Sequence, residues 1–496
     1  MRCINGPRVR ARTRPRAWRH GFRRRAAART VAAAVVLAAL AALAVPGAAV
    51  ARAPGDYVWA DTVFSIGGNG DEAAVAVTTD SAGYPIIAGA AVTSAGGGLD
   101  IRYRSYLLNG LLRWNAVGTT WANPADPAAN DTAAGVVVDD ARNCVYVAGT
   151  TRGIGTGKDV VLLKVLDSDP GGPLSGDLIW SRVYNAAADR NDEAEALALD
   201  RYGNVYVTGG TQRADGSMDV LTVKYRANGT VAWVKRHNNS RARFDRGLAI
   251  AVRGNAVYVA GVSNRKRHRD DLVLVRYSLS GSRRWVRYYD DPLRRHETLT
   301  GIAATSGAVY LSGSGKSTNT RPGDALLVKY RSDGKRLWAR YVKGSGGGDD
   351  AWNDVAVDSK GRAHVVGFLD RRATGEDIVT RVFTATGGLL WQSGYSSTGR
   401  HMDVGTALAV DGSGRTYVCG RRAGILGDVD GMVIKYSAKG VTLWSTVYPE
   451  PGVPDVGDDW FEDIAVAGSS VYAVGRQEVD HGGLVDADFL TVRIQR

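Results

Sequence analysis

Two carboxylates stand where the sister copies of a repeated apolar motif are small. Asp354 and Asp463 sit in the middle of a short strand pattern whose other copies carry Ala74, Gly135, Ala196, Ala249, Gly301 and Ala407. Aromatic residues precede both: Trp352 in one copy, Trp460 and Phe461 in the other, with Asn353 and Glu462 adjacent. A carboxylate in a crowded apolar setting is costly unless it is hydrated, paired or bound. Carboxylates beside aromatic rings suit sugar rings or cationic groups. Asp354, Asp463, Trp352, Trp460 and Glu462 are therefore the candidate ligand-binding set. The competing reading is that these side chains plug a central channel and bond to neighbouring backbone. A third reading makes Asp354 and Asp463 the carboxylate pair of a glycan-active hydrolase or lyase. Retaining glycosidases hold such a pair about 5–5.5 Å apart and inverting ones about 6.5–9.5 Å. The binding reading predicts that Asp354→Ala and Trp352→Ala weaken ligand capture without lowering the melting temperature.

Other reactive residue types lack the spacing their chemistry needs. Ser314-Gly-Lys-Ser-Thr looks like the tail of a phosphate loop, but the first glycine of that motif would fall at Tyr310. The segment also joins two strands, where a phosphate loop joins a strand to a helix. His296, His401 and His481 share no metal-ligand spacing, and His364 replaces the Tyr of its repeat at a core position. No metal and no cofactor is expected. Cys144 and Cys419 lie inside apolar strand patterns in different units and read as small buried hydrophobes. Arg265-Lys-Arg-His-Arg269 reads as a solvated loop, or as a contact for an anionic polymer. An Asp opens every third strand, from Asp100 to Asp488. A second acidic position precedes the first strands at Asp131, Asp192, Asp245, Glu297, Asp350, Asp403 and Asp459. Recurrence in successive units assigns both columns to turn chemistry, with a cation-attracting ring as the alternative.

The elements that must position these residues come from one repeat. A string recurs as Tyr84-PIIAG, Cys144-VYVAG, Val205-YVTG, Val257-YVAG, Val309-YLSG, Ala363-HVVG, Thr416-YVCG and Val471-YAVG, with closing glycines 52 to 60 residues apart. A second string follows each, such as Asp219-VLTVKY and Asp324-ALLVKY. A Trp comes 14 residues after that Asp in six units (Trp114, Trp233, Trp285, Trp338, Trp391, Trp444), and Trp180 comes 21 residues after Asp159. Each unit reads as four strands: a small apolar run, an Asp/Gly turn, the Tyr-Val-x-Gly strand, an alternating third strand, and a Trp-bearing fourth strand after a tight turn. Repetition at this period signals a repeat architecture. No convincing amphipathic helix appears beyond residue 51. The fold class is all-β, an eight-bladed β-propeller over residues 57–496, with seven blades the alternative count. The segment Tyr57-VWADTVF looks like a fourth strand without its first three, and the final unit lacks a fourth. Joining them closes the ring and removes its exposed edges.

These strings resemble the bacterial β-propeller repeat (SBBP-type) family of secreted proteins. The Gly-x-x-x-Trp spacing of Gly229…Trp233 and Gly334…Trp338 is also similar to the tryptophan-docking motif of eight-bladed quinoprotein dehydrogenases. That resemblance implies that the Trp series packs between adjacent blades. Quinoprotein activity would need a vicinal cysteine pair over the cofactor, and the sequence has none. By propeller analogy the first strand of each unit lines the channel.

The formal charge of +13 suggests a nucleic-acid binder until it is located. Residues 1–51 hold 11 Arg and no acidic residue, so the remainder carries 52 basic against 50 acidic residues, a net of +2. No nucleic-acid partner is expected. The leader has an Arg-rich start, an apolar run from Val31 to Val45, Pro46-Gly47, and Ala49-Val50-Ala51. It resembles a secretory signal peptide cleaved after Ala51, followed by a short linker over 52–56. The run is shorter than the ~20 residues that span a bilayer, so membrane contact is expected only in transit. The sequence reading is a secreted, monomeric binding or scaffold propeller without catalysis, with a carbohydrate or protein ligand on its loop face.

Overall fold

A computed structural model describes residues 53–63, 72–92, 98–114, 119–153, 157–167, 176–186, 190–239, 244–266, 269–289, 296–315, 323–399, 401–424, 428–449, 457–480 and 485–496, together with Val9–Arg10, which pairs with Gly301 and Ile302. Apart from that pair, the leader and its cleavage site lie outside the described residues, as does His481. So do the side chains of Arg265–Arg269.

Eight antiparallel sheets form a ring, which settles the blade count at eight. Blade 3 shows the plan: Asp192–Leu199, Val205–Gln212, Met218–Tyr225 and Val231–His237 pair in that order. The second and third strands are almost wholly buried, whereas the fourth is partly exposed. A blade packs on a neighbour through each face, so its central strands need apolar residues on both sides. Each first strand packs against the first strand of the next blade, around a closed circuit that returns from blade 8 to blade 1. Every first strand carries a β-bulge at one register position, as between Ala194 and Ala196 or Trp352 and Asp354.

The N-terminal strand closes the ring. Tyr57–Val63 pairs antiparallel with Val485–Gln495 as the fourth strand of blade 8, setting Trp59 opposite Arg493. Gly55 and Asp56, within the expected linker, bond to this blade: the Gly55 N–H donates to Gln495 O at 3.0 Å and the Gln495 N–H to Asp56 O at 2.9 Å.

The Trp series lies between blades. Trp391 of blade 6 lies against Gly440 in the third-to-fourth turn of blade 7, where an added Cβ would come within 2.7 Å of the ring. Trp444 meets Gly55 of the closing strand, and Trp59 of that strand meets Gly110 of blade 1, so the ladder runs through the seam. The indole N–H groups of Trp233 and Trp338 donate to Leu279 O at 3.1 Å and Ala385 O at 3.2 Å in the next blade. A buried cation accompanies each such indole. Lys224 lies 5.0 Å from the Tyr206 ring centroid and donates to Leu279 O at 2.8 Å, and Lys329 stands in the same way over Tyr310.

Blade 1 departs from this scheme. Its fourth strand is only Thr120–Trp121, not the expected segment around Trp114. The buried Arg113 bridges Asp80 at 2.8 Å and Asp167 at 2.9 Å. It supplies the cation that Ser105 does not, at the register position held by Lys224 in blade 3.

Candidate functional site

Asp354 lies on the first strand of blade 6 (Ala351–Val357) and Asp463 on that of blade 8 (Trp460–Ala467). The Asp354 carboxylate accepts the N–H of Val355 at 2.7 Å and of Leu408 at 3.1 Å. The Asp463 carboxylate accepts those of Ile464 at 2.9 Å and Val77 at 3.0 Å. Leu408 and Val77 are equivalent positions on the first strands of blades 7 and 1. Each Asp thus fastens its blade to the next through a backbone N–H on an inner edge strand, which no fifth strand covers. One pin crosses the junction of blades 6 and 7, the other that of blades 8 and 1. Both carboxylates are thus engaged by backbone N–H groups, as the competing reading of channel-plugging side chains expected.

The register also moves one equivalence. Asp354 and Asp463 stand opposite Val366 and Val474, and their counterpart in blade 1 is Ala76, opposite Ala88. Ala74 is the residue before the bulge, not the one after it. The run Ala73-Ala-Val-Ala is too uniform for the offset to show in sequence.

Trp352 and Trp460 are not equivalent either. Trp352 pairs with Gly367 as Phe461 pairs with Gly475, and both rings are fully buried. Trp460 is one residue earlier and points to the opposite side of the pleat. The expectation that Trp352 meets ligand is therefore corrected: it is a core residue packed with Val365, Val379 and the partly buried Trp338.

Residues at the bulge reach across junctions. Thr300 donates to Trp352 O at 2.6 Å, Asn353 to Gly405 O at 2.9 Å, and Thr406 to Phe461 O at 2.6 Å. Glu195 meets Arg246 of the following blade, which also pairs with Glu193. Glu462 is the copy in blade 8, but its counterpart across the seam to Arg246 is Ala73. Glu462 Oε1 instead accepts the indole N–H of Trp460 at 2.9 Å.

Half-buried Trp460 is flanked by two cations that sequence reasoning missed. The Arg476 guanidinium lies 3.5 Å from the ring centroid, and Arg421 of blade 7 lies 5.9 Å from it. Arg476 also approaches Glu478 at 3.8 Å. Both Arg follow the closing glycine of a Tyr-Val-x-Gly strand, Gly420 or Gly475, where other units carry Ala90, Thr150, Gly210, Val262, Ser314 and Phe368. That substitution was the available signal. Glu376 of blade 6 lies within electrostatic reach of Arg421. Burial pushes its carboxyl up to about 7; Arg421 opposes this, and Asp370, Asp349 and Asp350 reinforce it.

The second acidic column is buried, and two of its members show backbone bonding of the kind expected of turn residues. Asp350 accepts the N–H of Gly344 at 2.8 Å and of Asp370 at 2.7 Å, and burial pushes it up to about 6. Asp131 accepts that of Asn123 at 2.8 Å and is likewise pushed up by burial to about 6. Among the described residues, no group of three or more His, Cys, Asp or Glu could hold a metal ion. Arg421, Arg476, Trp460 and Glu462 together offer planar forked donors and a carboxylate, a set that recognises polar ligands.

No protein-family model and no curated protein sequence matches this chain. Among solved structures, it is similar to Chaetomium thermophilum Sqt1 bound to the N-terminus of a ribosomal protein, with a TM-score of 0.52 and 10% identity over 87% of this chain and 98% of that one. Polysaccharide lyase Uly1 gives 0.41 and 11% over 78% and 93%. Virginiamycin B lyase from Staphylococcus aureus gives 0.37 and 9% over 88% and 99%. At these identities the likeness is one of fold.

Proposed function

We propose that this chain is a secreted, monomeric binding or scaffold propeller that captures a carboxylate-bearing protein or carbohydrate ligand at the loop-face mouth of blades 7 and 8. The observation that carries this reading is the Arg421–Trp460–Arg476 stack beside Glu462. It breaks the repeat on paired strands, where the other units carry uncharged residues after the closing glycine. Guanidinium groups stacked on an indole keep their N–H forks in the ring plane, ready for bidentate contact with a carboxylate. The Arg476 guanidinium already lies 3.5 Å from the indole centroid, which disfavours stacking of a neutral sugar on that face. A fold neighbour solved with the N-terminus of a ribosomal protein is compatible with a protein ligand and selects none.

The test is capture by the immobilised ring (residues 52–496) of neutral polysaccharides, uronate-bearing polysaccharides and acidic peptides, with released sugar assayed in parallel. Retention of carboxylate-bearing ligands without released sugar is expected. Arg421→Ala with Trp460→Ala lowers retention tenfold or more. Equal retention by that variant, or released sugar, overturns the reading.

A further inference from the structure

Two faces of the ring differ in chemistry. The loop face carries the second-to-third-strand loops and the site above. The turn face carries the first-to-second and third-to-fourth turns. Among the described residues, every large hydrophobic side chain that stands exposed lies at the turn-face end of the ring, except Val183, Phe244 and Met402. Leu111 is 64% exposed, Val441 62% and Leu389 52%. Apart from Tyr202, in the first-to-second turn of blade 3, these residues sit in the third-to-fourth turns or in the first residues of fourth strands. Basic residues are interspersed. Arg142, Arg201, Arg226, Arg253, Arg284 and Lys335 are exposed on this face, whereas the exposed acids described there are Asp56, Asp140 and Asp333. Asp333 is moreover paired with Arg331.

We infer that the turn face docks on a phospholipid surface rich in anionic headgroups. Aliphatic side chains set among Arg and Lys match both layers of such a surface, the acyl boundary and the charged headgroups. The N-terminal end of the described ring lies on this face too. Ala53 lies beside the end of Val485–Gln495, where the third and fourth strands of blade 8 meet on this same face. The apolar run Val31–Val45 precedes it in sequence. The loop face, with Arg421 and Trp460, then points away from the lipid.

All eight blades close within residues 53–496, so the ring without its leader is a complete folding unit. That ring is mixed with vesicles of phosphatidylcholine alone or with phosphatidylglycerol and sedimented. Binding to the phosphatidylglycerol vesicles, weakened by salt, is the expected result. Arg283→Ala with Arg284→Ala lowers partitioning roughly thirtyfold, on the scale of two basic side chains at an anionic surface. Leu111→Ser with Val441→Ser lowers it at unchanged charge. Arg421→Ala with Trp460→Ala leaves it unchanged, which separates this inference from the ligand site. No sedimentation at low salt, wild-type binding by both turn-face variants, or a concentration-dependent dimer that loses its contact in those variants overturns it. A melting temperature measured for each variant confirms that the ring is intact.

Discussion

The Asp463 carboxylate accepts the backbone N–H of Val77 at 3.0 Å, across the junction where the last blade meets the first. Removing that acceptor leaves a largely buried edge amide without its partner, at a cost of about 1–3 kcal/mol. Asp463→Ala therefore lowers the denaturation midpoint while leaving capture by Arg421 and Arg476 intact. Asp354→Ala does the same at the junction of blades 6 and 7. This reverses the sequence-based expectation for Asp354, and parallel melting and capture assays decide between the two.

Trp352 and Trp460 separate by role. Trp352→Ala empties a fully buried site and costs about 3–5 kcal/mol. Trp460→Ala removes a half-buried ring and its cation contacts, with a loss of about 1 kcal/mol. Urea denaturation distinguishes them, and similar losses for both would contradict the assignment.

Gly440 is held in the left-handed region at φ +84°, against Trp391. A side chain there meets both backbone strain, about 1–2 kcal/mol, and a ring that must shift. Gly254 has φ +59° with nothing within 4 Å of an added Cβ. Gly440→Ala is expected to cost at least about 2 kcal/mol and Gly254→Ala about 1 kcal/mol. The difference, read from denaturation midpoints, measures the inter-blade contact.

Arg113 sits between the buried carboxylates of Asp80 and Asp167. Arg113→Ala strands both and costs about 3–5 kcal/mol. Adding Asp80→Asn and Asp167→Asn is expected to restore part of that loss, since the removed charges no longer need a partner.

Asp131 and Asp350 are raised from the ordinary value of 3.8 to about 6. Over that interval the folded ring binds more protons than the unfolded chain. Their contribution is fully present below about pH 4 and is lost as the pH rises through 6. The melting temperature is expected to climb as the pH is lowered from 7 to 5, and Asp131→Asn should flatten that slope. Asp358 behaves oppositely. Burial raises it, but bonds from His364 and Arg362 hold it below its ordinary value, so its contribution is lost only in stronger acid.

The ring was legible because each of its parts recurs. Eight Tyr-Val-x-Gly strings locate the second strands, and the orphan strand at Tyr57 locates the closure. Register was less legible. Trp352 stands two residues before its Asp and Trp460 three, so on strands with the same bulge the two rings face opposite ways. The Arg421 and Arg476 stack was hidden differently. Its members belong to successive units, and only alignment of those units brings them side by side. Blade 1 broke the pattern outright, with Arg113 replacing a lysine from another strand.

Strand Tyr57–Val63 finds its partner only in Val485–Gln495. Until the ribosome has delivered that last stretch, the first strand made is a bare edge and the eighth blade is absent. The seam pin from Asp463 to Val77 and the contact of Trp59 with Gly110 also join the two ends of the chain. Synthesis therefore runs nearly to completion before the circle can shut. Closure is therefore the last step of this fold, and any shortening of Val485–Gln495 leaves both ends of the circle unpartnered at once.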